Sequence, residues 1–67
     1  MKLFNTGDKI VFTDVNASDQ VLSFCREELI PIHSYWFKWK SGGEGCVFSV
    51  DEIRHATDEE IKAGHRL

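Results

Sequence analysis

The pattern of apolar and polar residues along this chain predicts short β-strands rather than long helices. Residues 9–13 (KIVFT) are rich in β-branched and aromatic side chains and follow the turn signal Gly7-Asp8, so they are predicted to form the first strand. Residues 46–50 (CVFSV) have the same character and follow the glycine-rich segment 41–45, which is typical of a hairpin connection. We therefore expect a tight hairpin in the second half of the chain.

The stretch 34–40 (SYWFKWK) shows the clearest alternation in the sequence, and successive side chains of a strand point to opposite faces. One face would carry three aromatic side chains, Tyr35, Phe37 and Trp39. The other face would carry one aromatic and two basic side chains, Trp36, Lys38 and Lys40. This contrast is typical of a half-buried strand, and it predicts that Phe37 lies in the core.

Residues 18–29 are ambiguous between helix and strand. Ser18 could cap a helix, and four residues recur at helical spacing: Val21, Leu22, Cys25 and Leu29. The segment nevertheless continues directly into Ile30-Pro31-Ile32. We expect a short helical turn at 19–25 and then a strand near 28–33. Proline cannot donate a hydrogen bond to a neighbouring strand, so Pro31 predicts an edge strand or its end.

The C-terminal third carries signals for two short helical segments. Ser49 and Glu52 have the spacing of a capping box, which predicts a single turn. Thr57 and Glu60 repeat that spacing and predict a short helix over residues 58–63, ended by Gly64. Ile61 is expected to point inward from this helix.

Together these elements predict a single mainly β domain, residues 1–67, built as a small barrel of four to five short strands with a short C-terminal helix. A domain of this size needs large apolar side chains, and five Phe, two Trp and one Tyr supply them. The predicted core consists of Ile10, Phe12, Leu22, Ile30, Ile32, Phe37, Phe48, Ile53 and Ile61.

The cysteine count and the distribution of apolar residues indicate the cellular location that we expect for this chain. The two cysteines, Cys25 and Cys46, are too few for a disulfide framework. The sequence shows neither a signal peptide nor an apolar run long enough to span a membrane. We therefore expect a cytoplasmic protein with reduced thiols and no membrane partner.

The sequence predicts no metal, no cofactor and no catalytic residue, and thus a protein that is not an enzyme. Potential metal ligands do not have the paired spacing of structural zinc sites; they are Cys25, His33, Cys46, His55 and His65. The neighbouring acids Glu27-Glu28 and Asp51-Glu52 would point to opposite faces of a strand. The segment 42–45 (GGEG) lacks the lysine and hydroxyl residue of a phosphate-binding loop.

Two groups of side chains are candidates for binding a partner. Trp36, Lys38 and Lys40 could form a protein-binding surface, or could stack and neutralise a single-stranded nucleic acid. The net charge of −3 argues mildly against nucleic acid. The second group is acidic and could dock on a basic surface; it consists of Asp51, Glu52, Asp58 and Glu59. A strand edge near Pro31 could also support a homo-oligomer.

Three segments resemble a known family: residues 7–11 (GDKIV), 22–24 (LSF) and 48–61 (FSVDEIRHATDEEI). They are similar to the small SH3-like, KOW-like barrel proteins that are common among phage and prophage accessory proteins. The resemblance covers most of the chain and implies an SH3-like barrel and a phage setting, but no catalytic residue. The expected function is a non-enzymatic accessory protein that binds and modulates a host protein of defence or nucleic-acid machinery. The alternative is a small barrel that binds single-stranded nucleic acid.

Overall fold

The computed structural model describes residues 3–67 and contains one five-stranded antiparallel sheet with a short helix after it. The strands are β1 (Lys9–Phe12), β2 (Leu22–Glu28), β3 (Ser34–Lys38), β4 (Glu44–Val47) and β5 (Ile53–His55). A 3₁₀ turn (Val50–Glu52) precedes β5, and helix α1 (Asp58–Ala63) follows it. The predicted class, a mainly β domain with a short C-terminal helix, is confirmed. Met1 and Lys2 of the predicted domain lie outside the described residues.

The sheet is open and has the order β4-β3-β2-β1-β5, so β4 and β5 are its edge strands. The hairpins β1–β2, β2–β3 and β3–β4 follow the chain, whereas β5 returns to pair with β1 through Val11 and Arg54. A register shift between Phe24 and Arg26 leaves Cys25 as a bulge in β2. A bulge bends its strand and increases the local twist, which helps this sheet to curve around its core.

The core lies on one face of the sheet and is rich in aromatic side chains. Phe37 is 1% exposed and meets Phe12 and Trp39 edge to face, with ring centroids 5.4 and 5.2 Å away. Four predicted core residues are confirmed as buried: Ile10, Leu22, Phe37 and Ile53. Phe12 is partly buried against the same cluster. The remaining members of the cluster are Phe4, Phe24, Tyr35 and Val47.

Four predicted core residues are exposed, so their assignment is wrong. Ile30 and Ile32 lie in the connection between β2 and β3, because β2 ends at Glu28. Phe48 lies just beyond the end of β4, where Val47 takes the inward position. Ile61 is 44% exposed because α1 turns a different residue, Glu60, toward the interior.

The helical turn expected at 19–25 is also wrong, because residues 22–28 form β2. Leu22 and Phe24 alternate with Ser23 and are buried, as in any half-buried strand. The bulge at Cys25 then shifts the phase of the alternation by one residue. Of the four residues that gave the helical spacing, Val21 and Leu29 lie outside β2, and Cys25 is the bulge residue itself. The strand expected at 28–33 is replaced by the β2–β3 connection, in which the Ile30-Pro31 peptide bond is cis.

Both predicted capping boxes are present. The Ser49 hydroxyl accepts from Asp51 N and the Glu52 carboxylate accepts from Ser49 N. At α1 the Thr57 hydroxyl accepts from Glu60 N, and Glu60 accepts from Thr57 N in return. Gly64 ends the helix in the left-handed region, with φ of 81°.

The last residues of the chain tie the long β1–β2 loop to the sheet. The Arg66 guanidinium donates to four backbone carbonyls at 3.1–3.3 Å; they belong to Phe12, Val15, Ala17 and Ser18. Arg66 N also donates to the carbonyl of Asp19 at 2.6 Å. A loop without regular hydrogen bonding of its own is thereby fixed next to α1.

A methyl group at Gly45 would collide with the core. Its Cβ would lie 2.9 Å from both Phe37 Cε1 and Trp39 Nε1. Since a buried ring cannot move freely, we expect Gly45→Ala to lower the free energy of unfolding by roughly 1–3 kcal/mol. Urea denaturation followed by circular dichroism measures this loss. Gly43→Ala is the matched control in the same hairpin, because its Cβ would meet Trp39 at an ordinary 3.8 Å. Equal stability of the two variants would contradict the prediction.

Candidate binding surfaces

A groove with basic side chains lies between α1 and one end of the β2–β3 hairpin, and we call it the lysine groove. Its volume is about 380 Å³. Its lining residues are Lys9, Val21, Ser23, Lys38, Trp39, Lys40, Ile61 and Gly64. The strand register explains part of this set: Lys9 is opposite Ser23, and Ser23 is opposite Lys38, so the three side chains form a row across the sheet.

The ammonium groups of the lysine groove have no acidic partner within residues 3–67. The Lys9 Nζ donates to the Ser23 hydroxyl at 3.0 Å. The Lys40 Nζ lies near Gly64, at 3.5 Å from the position of a Cβ on that glycine. All five ion pairs in this range use arginine or histidine. The groove therefore carries positive charge that the described protein groups leave unneutralised.

Trp39 is the aromatic residue among those that line the lysine groove. Its ring packs against Phe12 and Phe37, with centroids 5.8 and 5.2 Å away, so the core holds it in place. Trp39 is half-buried and is among the residues that line the groove. The sequence pattern assigned Trp39 to the aromatic face of the strand; in the structure it follows directly after Lys38, the last residue of β3.

Trp36, which was predicted to act with Lys38 and Lys40, is half-buried at a different position. The Arg26 guanidinium lies over its ring, 4.7 Å from the ring centroid. The indole Nε1 donates to the Ser34 hydroxyl at 2.9 Å. Arg26 is in turn paired with Glu28 and Glu44, and the hydrogen bond to Glu28 is the largest cause that raises the pKa of the guanidinium.

The four acidic side chains predicted to bind a partner are all exposed and form two pairs. Asp51 and Glu52 belong to the 3₁₀ turn, before β5. Asp58 and Glu59 belong to the first turn of α1, after β5, where negative charge is favourable for the helix dipole. Their part in binding stays a prediction.

The connection between β2 and β3 carries an apolar surface that the sequence pattern does not predict, and we call it the hairpin tip. Leu29, Ile30 and Ile32 are 67%, 85% and 61% exposed. Their size and apolar character favoured a place in the core for both isoleucines, and the structure shows that this prediction is wrong. The signal that could have identified the tip is Pro31, since a proline inside an apolar run favours a connection over a strand.

Polar groups and a hollow surround the hairpin tip. The hollow has a volume of about 270 Å³ and is lined by Phe4, Thr6, Phe24, Arg26, Glu27 and Leu29. Arg26 is held by Glu28 at 2.8 Å, and His33 contacts the Glu27 carboxylate. An apolar centre with a polar rim is the usual anatomy of a protein–protein interface.

Within residues 3–67 no group of three or more His, Cys, Asp or Glu side chains is placed to hold a metal ion. Cys25 and Cys46 are free and half-buried. No helix in the described part of the chain has the length and apolar character that crossing a membrane requires.

Comparisons with protein-family models, curated proteins and solved structures found no match.

Proposed function

We propose that this protein is a small, non-enzymatic, phage-type accessory protein that acts in the cytoplasm by binding and modulating a host protein. The observation that carries the proposal is the hairpin tip. Three large apolar side chains stand exposed there within four consecutive residues, whereas the other exposed large apolar residues of the described range occur singly along the chain. An exposed apolar patch with a polar rim is a frequent mark of a protein interaction site.

The contacts behind the hairpin tip support a defined contact surface. Leu29 borders the hollow that reaches inward to Phe4 and Phe24, and those two rings stack with centroids 5.4 Å apart. A side chain of the partner could enter this hollow while Ile30 and Ile32 contact the partner's surface. Arg26 and Glu27 at the rim can add polar contacts that orient the partner.

Ile30→Asp is expected to abolish capture of the partner. A charge at the centre of an apolar contact must be desolvated, and we expect the affinity to fall roughly tenfold or more. The measurement is affinity capture from nuclease-treated bacterial lysate, followed by titration of the purified partner by calorimetry. Val15→Asp is the matched control, because Val15 is 80% exposed and lies in the β1–β2 loop.

The proposal holds if one host protein is retained by the wild type and by Val15→Asp but not by Ile30→Asp. Equal retention by all three would contradict a role for the hairpin tip. Size-exclusion chromatography of the purified chain tests whether the hairpin tip instead binds a second copy of the same chain. A dimer that Ile30→Asp dissociates would identify a second copy of this chain as the occupant of the tip and would overturn the host-protein proposal.

A further inference from the structure

We infer that the lysine groove binds single-stranded nucleic acid, at a site separate from the hairpin tip. The inference goes beyond the proposed binding of a host protein and does not depend on it. It rests on the charge, the wall and the size of the groove.

The lysine groove is positively charged, although the chain as a whole is negatively charged. The net charge is −3, yet three lysines and no carboxylate line the groove. Lys9, Lys38 and Lys40 come from three separate segments, β1, β3 and the hairpin turn after β3. Within residues 3–67 the acids that form ion pairs are paired with arginine or histidine. The lysines are thus left to neutralise a ligand, and phosphate groups suit exposed ammonium groups.

The wall of the lysine groove favours a ligand with flat apolar rings. Trp39 is held by Phe12 and Phe37, and Val21 and Ile61 supply further apolar surface beside it. Proteins that bind single strands combine a basic groove with aromatic side chains on which bases stack. An acidic peptide would match the lysines, but it would make no comparable use of the indole.

The size of the lysine groove favours a single strand over a duplex. Its volume of about 380 Å³ is near the lower limit of small-molecule sites. Such a concave space can admit a nucleotide that has been separated from its neighbours. The stacked bases of a duplex cannot enter it.

The lysine groove and the hairpin tip lie at opposite ends of the β2–β3 hairpin. Ser23 and Lys38 mark the groove end, and Leu29 marks the tip end. At ~3.3 Å per residue, six residues of β2 separate the two ends by roughly 20 Å. The two surfaces can therefore be occupied together, and each can be altered without the other.

The test measures fluorescence anisotropy of a labelled oligothymidylate of about 12 nucleotides, between roughly 50 and 200 mM salt. Three phosphate contacts predict a slope of about −2 for log affinity against log salt, or nearly a 20-fold loss over this range. Alanine at Lys9, Lys38 or Lys40 should each reduce the magnitude of that slope by about 0.7. Lys62→Ala is the matched control, since Lys62 is an exposed lysine of α1 outside the groove.

A second readout reports on the aromatic wall. Trp36→Phe leaves Trp39 as the sole indole, and its fluorescence should be quenched when the oligothymidylate binds. Circular dichroism first confirms that each variant is folded, as expected for substitutions of exposed lysines. Ile30→Asp should bind the oligothymidylate like the wild type. Nucleic-acid binding in the lysine groove is thereby tested separately from partner binding at the hairpin tip.

Three results would overturn the inference. The first is no binding of the oligothymidylate by the wild type at the lowest salt. The second is an equal loss of affinity in Lys62→Ala and Lys38→Ala. The third is tighter binding of a DNA duplex or of polyglutamate than of the single strand.

Discussion

Phe37→Ala is expected to unfold this domain or to bring it close to unfolding. Phe37 is 1% exposed and lies at the centre of the core, in contact with Phe12 and Trp39 and directly beneath Gly45. Removing a buried phenyl ring costs about 3–5 kcal/mol, because apolar contacts are lost and a cavity remains. A domain of this size has a total stability of only about 3–10 kcal/mol. The substitution therefore removes much or all of it.

Urea denaturation followed by far-ultraviolet circular dichroism measures the effect of Phe37→Ala. Phe48→Ala is the matched control, because it deletes the same ring from a side chain that is 63% exposed. We expect the control to stay within about 1 kcal/mol of the wild type. If Phe37→Ala were as stable as Phe48→Ala, the face of β3 assigned to the core would be wrong.

Glu60→Gln is expected to produce the second large effect, and to change how stability depends on pH. The Glu60 carboxylate is 2% exposed and accepts two hydrogen bonds from Arg54, both at 2.8 Å. It also accepts from Thr57 N at 2.9 Å and from Leu67 N at 3.0 Å. An amide would place N–H groups against these donors and would leave the Arg54 guanidinium without its counter-charge.

The pH dependence follows from the pKa of Glu60. Arg54 is the largest cause that holds this pKa far below its ordinary value of 4.5, and the Thr57 and Leu67 amides add to the effect. The folded state therefore binds the proton more weakly than the unfolded state. The carboxylate stabilises the fold above pH 4.5, and this stabilisation is lost progressively as the pH falls below that value.

Thermal melts between pH 7 and pH 2 test this prediction. The wild type should lose stability steeply below about pH 5. In Glu60→Gln that part of the loss should be absent, although the variant is less stable at neutral pH. Glu59→Gln is the control, since Glu59 is exposed in the same turn. The carboxylate of Asp8 also has a lowered pKa, through Asn5 N and His55, so some acid sensitivity remains in every variant. Identical pH profiles for Glu60→Gln and wild type would contradict the assignment.

The parts of the fold that could be predicted from sequence are those with a local cause. Thr57 and Glu60 form a capping box because their side chains meet within one turn, whatever the rest of the chain does. Gly64 ends α1 for a similar local reason. The alternation around Phe37 identified its buried face, because a strand with one aromatic face must turn that face to the core.

The remaining features depend on pairings that no local pattern contains. The helical spacing near β2 included Val21 and Leu29, which lie outside the strand, and the bulge residue Cys25, which only the register against β3 identifies. Ile30 was placed inside by its hydrophobicity, whereas the early end of β2 leaves it outside. The burial of Glu60 depends on Arg54, which reaches it from β5.

The lysine groove illustrates the same limit for the candidate site. Lys38 and Lys40 were singled out from their position in the sequence, and the structure places both in the groove. Lys9 could not be added without knowing that β1 pairs with β2 in the register that puts Lys9 opposite Ser23. The sequence favoured Trp36 as the aromatic partner, and the groove is lined by Trp39 instead.

The return of β5 to β1 has a consequence for how the chain reaches its native state. The hairpins β1–β2, β2–β3 and β3–β4 close over short separations, but Val11 meets Arg54 only after most of the chain has been gathered. Closing so long a loop is entropically costly and slows folding. During synthesis β1 therefore has an open edge until β5 has emerged, and this edge can pair with another nascent copy until then.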